Sequence, residues 1–187
     1  HALVLTGHHI VLDGWSFWVL LKELAALYRG EVLPDAPSFA DYAARMAERA
    51  GSPDMLESVN WWAQQFPDGG PALALPCDRQ RPRLRTQTAS RLDHMLSARL
   101  IAAAKSVGTA GKASLFATLL SSFAGLVSRI SGQDDLVIGI PAAGQAAEGE
   151  QGLVGHCVDI LPLRFRVDRN ASFTELLARG RRAMLDA

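Results

Sequence analysis

The residues best equipped for chemistry stand close together near the start of the chain: His8, His9, Asp13 and Gly14, followed by Trp15 and Ser16. Two adjacent imidazoles can take up and return protons. A carboxylate four positions after the second can cap a helix, orient a ring nitrogen or pair with an arginine. Gly14 admits a backbone conformation or a close approach that a Cβ would block. On an extended segment the two rings would point to opposite sides, one toward a cavity and one into packed interior. A metal site fits poorly, because adjacent histidines rarely share one ion and no Cys/His cluster supplies further ligands. The bland alternative is a buried histidine pair that holds a turn.

Positioning these groups takes a strand-to-helix turn. Ala2-Leu3-Val4-Leu5 reads as a short buried strand. From Trp15 to about Arg29 the apolar spacing is helical, with Trp18, Leu20, Leu21, Leu24, Leu27 and Tyr28 expected to be buried and Arg29-Gly30 as the stop. The motif thus falls where the first turn of a helix leaves its backbone N–H groups unpaired and able to converge with the side chains on one point.

Further along, Ser38 caps a helix over 39–49, and Ser52-Pro53 opens another that continues to Phe66. Trp61-Trp62 within it reads as packing rather than a ligand cage. Residues 67–85 are rich in Pro, Gly and Arg with little periodicity and read as a crossing between lobes. Its arginines (Arg79, Arg81, Arg83, Arg85) fit a solvated face better than a phosphate contact. The stretch 89–96 alternates as a strand would, and 97–107 is helical. Ser114 caps the most periodic helix, whose Leu115, Leu119, Phe123, Leu126 and Ile130 share a face and which Gly132 ends. Strands are expected over 136–140 and 158–167, the second at an edge or bulge because of Pro162. The intervening 141–152 lacks the GxxxxGK[ST] phosphate-cradling form and reads as a mobile loop beside the site. Ser172 and Glu175 form a capping box for a last helix. Strands and helices alternate, so the class is α/β.

Composition narrows the function. The 187 residues are 49% hydrophobic and 20% charged, with 19 basic and 19 acidic side chains, so no charge excess suggests a nucleic-acid or anionic-membrane partner. Cys77 and Cys157 make no disulfide framework, and a reduced, cytoplasmic thiol pair is expected. No apolar run is long enough to span a bilayer. The chain opens abruptly on His1 inside an apolar run, so it is expected to be a piece of a longer domain.

Taken together the motifs resemble nonribosomal peptide synthetase condensation domains. Gly7 to Ser16 carries their HHxxxDG signature. Ser38-Phe39-Ala40-Asp41-Tyr42-Ala43 is similar to their "YxDYAxW" block, with Met46 near the usual tryptophan. Trp61-Trp62 and Leu75 to Pro82 resemble "yW…LPtDrpRP", Gln133 to Gly144 resembles "gqdDlvvGtPvaGR", and Val154 to Arg164 resembles "iGfFvNtlplR". The resemblance covers the middle of the family's domain.

What it implies is a partial two-lobed chloramphenicol-acetyltransferase-like fold with mixed sheets flanked by helices. Residues 1–66 would end the N-terminal lobe, 67–88 connect the lobes, and 89–187 begin the C-terminal lobe. In that family, phosphopantetheine arms of donor and acceptor peptidyl carrier proteins enter a tunnel from opposite ends. The acceptor amine attacks the donor thioester and forms an amide. By residue matching His9 is the catalytic candidate, His8 and Asp13 are structural, and the Gly14 N–H helps hold the oxyanion. Trp15, Ser16 and Asp159 are expected near tunnel or substrate. No cofactor binds directly, an adenylation domain is the expected neighbour, and no nucleic acid or membrane is involved.

Two departures from the family pattern stand out: Asp159 replaces an asparagine, and Gln145 replaces the arginine of the "paGR" loop. Facing the tunnel, Asp159 would repel an acidic substrate or hold the acceptor ammonium; on the surface it would do neither. The Ala-Ala-Gly-Gln and Val-Gly-His-Cys-Val forms resemble members from mixed polyketide–peptide assembly lines. His8 and Asp13 also match the His-x-x-x-x-Asp pair of glycerolipid acyltransferases, but that family's apolar segment and downstream motif are not visible. An epimerization domain shares HHxxxDG, yet 154–164 fits condensation domains better. The alternative from another class is a degenerate condensation-like platform that docks a tailoring enzyme.

Overall fold

The computed structural model describes residues 2–80, 82–84, 86 and 88–187. Two compact units emerge, His1–Pro67 with Ile140–Leu161 and Asp68–Gly139 with Pro162–Ala187. Among the described residues the elements are α1 (Gly14–Tyr28), α2 (Phe39–Arg49), α3 (Pro53–Gln65), α4 (Ala98–Ala110), α5 (Leu115–Ser131), β1 (Asp135–Ala143), α6 (Gly144–Ala147), β2 (Val158–Arg166) and α7 (Phe173–Asp186).

Local sequence sets most helix ends. Ser38, Ser52, Ser97, Ser114 and Ser172 each accept a hydrogen bond from the backbone N–H three residues on, meeting one donor that the first turn leaves unpaired. Ser172 and Glu175 complete the expected capping box, and Gly132 ends α5 in the left-handed conformation at φ +76°.

In the first unit, α1, α2 and α3 accompany the short α6 turn. Tyr42 of α2 packs with Leu153 and Cys157, and Met46 lies against them. Arg45 and Arg49, one turn apart on α2, pair with Glu150 and Glu148. The stretch 141–152, expected as a mobile loop, is therefore held: its start is strand, its middle is α6, and two ion pairs fasten its end. Trp61 and Trp62 are half-buried and meet edge to face at 4.8 Å.

In the second unit α5 packs on α7. Its buried side is made of small residues, Ala117, Thr118, Ser121, Ala124 and Ser128, with Leu120 and Val127. Leu119, Phe123, Leu126 and Ile130, expected in the core, are exposed. The reason is close approach: a Cβ on Gly180 of α7 would lie 2.3 Å from Ser121 Oγ, and one on Gly125 of α5 3.2 Å from Leu176. Bulky side chains on that side would force the helices apart.

β1 and β2 run antiparallel, with Gly144 N donating to Cys157 O and Val167 N to Asp134 O. Each strand of a two-stranded sheet has an open edge, which accommodates Pro141 and Pro162. Arg164 grips Asp135 through Nε and Nη2 at 2.9 and 2.5 Å, a bond that holds the aspartate below the usual carboxylate range.

Three further expectations fail: two strands and the buried face of α1. Residues 2–5 and 89–96 are irregular and largely exposed; a strand needs a ladder partner, and none pairs with them among the described residues. On α1, Trp18, Leu21, Leu24, Leu27 and Tyr28 are exposed, whereas Ser16, Val19 and Ala26 are buried. Arg79 and Arg83 are exposed; Arg81 and Arg85 lie outside the described residues. No single described helix is long and apolar enough to cross a membrane.

Candidate active site

The site is built around the N-terminus of α1, inside the first unit. Asp13 is the N-cap, and it forms a capping box with Ser16: Ser16 N donates to Asp13 Oδ1 at 2.8 Å, and Asp13 N reaches Ser16 Oγ at 3.4 Å. The other carboxylate oxygen, Oδ2, accepts from Gln145 Nε2 at 3.0 Å and from Cys157 N at 3.1 Å. Of the roles open to Asp13 from its spacing, helix capping is the one adopted. No arginine pairs with it among the described residues; Gln145 occupies that place.

Asp13 and Gln145 are almost wholly buried. Burial alone would push the Asp13 carboxyl up, but hydrogen bonds from Gln145, Ser16 and Cys157 outweigh it and hold the pKa at about 2. Cys157 shows the opposite balance. Burial and the neighbouring Asp13 charge push its thiol up, only partly offset by Tyr42, so it stays a neutral packing group rather than a nucleophile.

Ser16 joins the cap to the chain before β2. Its hydroxyl accepts from Gly155 N at 3.0 Å and lies 2.8 Å from both Gly155 O and Asp13 Oδ1, either of which can take its single hydrogen. Ser16 was expected beside substrate; it is fully buried instead, because its hydroxyl is committed to this junction. Gly155 is required there: a Cβ would lie 2.1 Å from the Phe39 ring.

Residues 8–11 form a turn closed by Val11 N donating to His8 O at 3.0 Å. A turn does not alternate faces, and both imidazoles are exposed rather than one being buried. Their hydrogen bonding differs. His8 Nδ1 accepts from Ile10 N at 3.0 Å, so the neutral ring carries its hydrogen on Nε2 and has no free lone pair. His9 Nδ1 instead meets His156 Nδ1 at 3.2 Å, with the rings edge to face. Of these two rings, only His9 can therefore present a bare lone pair, at Nε2 when its Nδ1 carries the hydrogen.

Gly14 opens α1, and its N–H has no partner among the described residues. A Cβ there would meet nothing within 4 Å, so the expected close approach is not seen. Trp15 Nε1 donates to Gln151 O at 3.0 Å, fixing the ring against Trp18. Asp159 is exposed on β2. His156, whose ring meets His9, and the contact of Gln145 with Asp13 are features of this site that spacing did not reveal. The only sequence sign was that Gln145 stands in the family's arginine position.

Comparison with known proteins agrees with this architecture. The condensation domain family model matches residues 1–187, and the chain belongs to that family. It is 35% identical to a linear gramicidin synthase chain of Brevibacillus parabrevis over 98% of its own length. Against phosphinothricin tripeptide synthetase PhsB of Streptomyces viridochromogenes the identity is 38% over 99% of the chain. The first condensation domain of the CDA synthetase superposes with a TM-score of 0.77 at 25% identity, covering 96% of this chain and 41% of that one. The fold is thus the α/β, chloramphenicol-acetyltransferase-like fold of condensation domains. The chain spans 4% of the length of that gramicidin synthase chain and 16% of PhsB.

Proposed function

We propose that this chain carries the working imidazole of a peptide-bond-forming condensation domain within a multidomain synthetase. The observation that carries the reading is the contrast at the HHxxxDG turn: both rings are exposed, but His8 Nδ1 is held by its own backbone, while His9 Nδ1 meets another side chain, the His156 ring. Membership of the condensation family and relatives that are peptide synthetases support it.

Donor acyl or peptidyl and acceptor aminoacyl groups arrive as thioesters on phosphopantetheine arms of carrier domains. The arms supply the thioester chemistry. The acceptor nitrogen attacks the donor carbonyl carbon, a C–N bond forms, and the C–S bond breaks. His9 takes the proton the nitrogen sheds and delivers it to the departing thiolate, giving a free pantetheine thiol. The Gly14 N–H, without a partner among the described residues and at the positive end of α1, stabilises the oxygen of the tetrahedral intermediate. An adenylation domain loads the acceptor arm. In this reading 67–88 connect successive lobes that begin in 1–66 and 89–187, with 140–161 of the later stretch packed in the same unit as 1–67.

Magnitudes decide how much His9 contributes. An α-amine with a pKa near 8 loses its proton at neutral pH at a cost of about 1.4 kcal/mol. Positioned proton transfer adds about 10²–10⁴-fold, whereas holding two reactants in attack geometry contributes roughly 7–11 kcal/mol. Positioning therefore outweighs base catalysis. In the full-length synthetase, His9→Ala should slow amide formation by about 10²–10⁴-fold without abolishing it. Wild-type turnover in that variant would refute a catalytic His9, whereas recruitment of a tailoring enzyme without any amide formation by the wild type would favour the docking-platform alternative.

A further inference from the structure

His156 has no assigned role, yet it is the partner of the His9 ring. We propose that His156 is a positioning residue that fixes which nitrogen of His9 carries hydrogen; the proposal rests on His9 being the base. Two Nδ1 atoms 3.2 Å apart form a hydrogen bond only when one bears hydrogen and the other a lone pair. Two hydrogens would collide, and two lone pairs would repel. The two neutral rings therefore have linked tautomers.

Only one of the two linked states serves proton transfer. With His9 Nδ1–H donating to His156 Nδ1, His9 Nε2 is a bare lone pair, and His156 carries its hydrogen on Nε2. In the reverse state His9 has hydrogen on Nε2 and cannot accept the amine proton there. His156 is the acceptor in the productive state. It also steadies the ring from its edge, in the 80° T-shaped contact.

The backbone of His156 is mounted for this purpose. Gly155 N on one side donates to Ser16 Oγ, which lies 2.8 Å from the Gly155 carbonyl, and Cys157 N on the other donates to Asp13 Oδ2. The buried α1 cap thus aims residue 156 at residue 9, across 147 positions of sequence.

The test uses the full-length synthetase with saturating carrier-bound substrates. His156→Phe keeps a ring but removes the acceptor, and kcat should fall about 10–100-fold, within what tautomer control of a base can cost, with KM for the acceptor unchanged. His156→Gln, whose amide oxygen can accept from Nδ1–H, should recover most of the loss. In a His9→Ala background, His156→Phe should cost nothing more. Wild-type kcat in His156→Phe, or a further loss on top of His9→Ala, overturns the proposal while the base assignment of His9 stands. Wild-type turnover in His9→Ala itself removes the underlying reading, and this one with it. Should the Phe variant fail to fold, a folded His156→Gln as impaired as His9→Ala overturns the proposal, and near-normal kcat supports it.

Discussion

Ser16 and Ser121 are the same residue type, both helical and both wholly buried, yet they serve opposite ends. Ser16 opens α1, and its hydroxyl bonds to Asp13 and to both backbone groups of Gly155. Ser121 sits midway along α5, and its Oγ has no hydrogen-bond partner among the described residues, as is true of Ser128 Oγ on the same side. At α1 the serine is kept for its polarity. At α5 it is kept for its size, since it lies where Gly180 of α7 comes nearest. Burial alone does not distinguish a polar joint from a spacer; the pattern of hydrogen bonds does.

The largest effect should come from cutting the joint at its centre. Asp13→Ala leaves Gln145 Nε2, Cys157 N and Ser16 N without their buried acceptor, and should cost about 3–5 kcal/mol, read as lost thermal stability or soluble yield. A folded variant of wild-type stability that was inactive would instead give Asp13 a direct chemical part.

Next in size is Gly155→Ala, which drives a methyl into the Phe39 ring and should cost about 1–3 kcal/mol by chemical denaturation. No loss would mean that the junction is loose.

Acid should weaken the joint by a comparable amount. The folded pKa of Asp13, about 2, lies below its ordinary 3.8. Its contribution is therefore complete above about pH 4 and lost as pH falls through 2, amounting to about 2 kcal/mol. Stability measured against pH should show this limb in the wild type and not in Asp13→Asn. The smallest effect belongs to the spacer: Ser121→Ala removes a hydroxyl with nothing to bond and should change stability by no more than about 0.5 kcal/mol.

What the sequence made legible follows the same division. Caps are local, so Ser38, Ser114, Ser172 and the Pro53 start could be read from a few neighbouring residues, whereas His8-His9 read as an extended segment and proved to open a turn. Strands at 2–5 and 89–96 depended on partners elsewhere, and alternation cannot supply a partner. Bulky residues marked the wrong side of α1 and α5 because periodicity locates a stripe without showing which stripe is covered; on α5 close helix contact selected the small one. The contacts Asp13–Gln145 and His9–His156, 132 and 147 residues apart, are products of folding. The HHxxxDG signature pointed to His9, but only the structure shows why its neighbour His8 is unavailable.

The most direct test of the joint is hydrogen exchange across residues 153–159 in the whole protein, comparing Ser16→Ala with Ser121→Ala. The account predicts that Ser16→Ala, which should cost about 2 kcal/mol locally, speeds exchange at Gly155 and Cys157 by about tenfold or more, and that Ser121→Ala leaves it unchanged. Equal exchange in the two variants would contradict it.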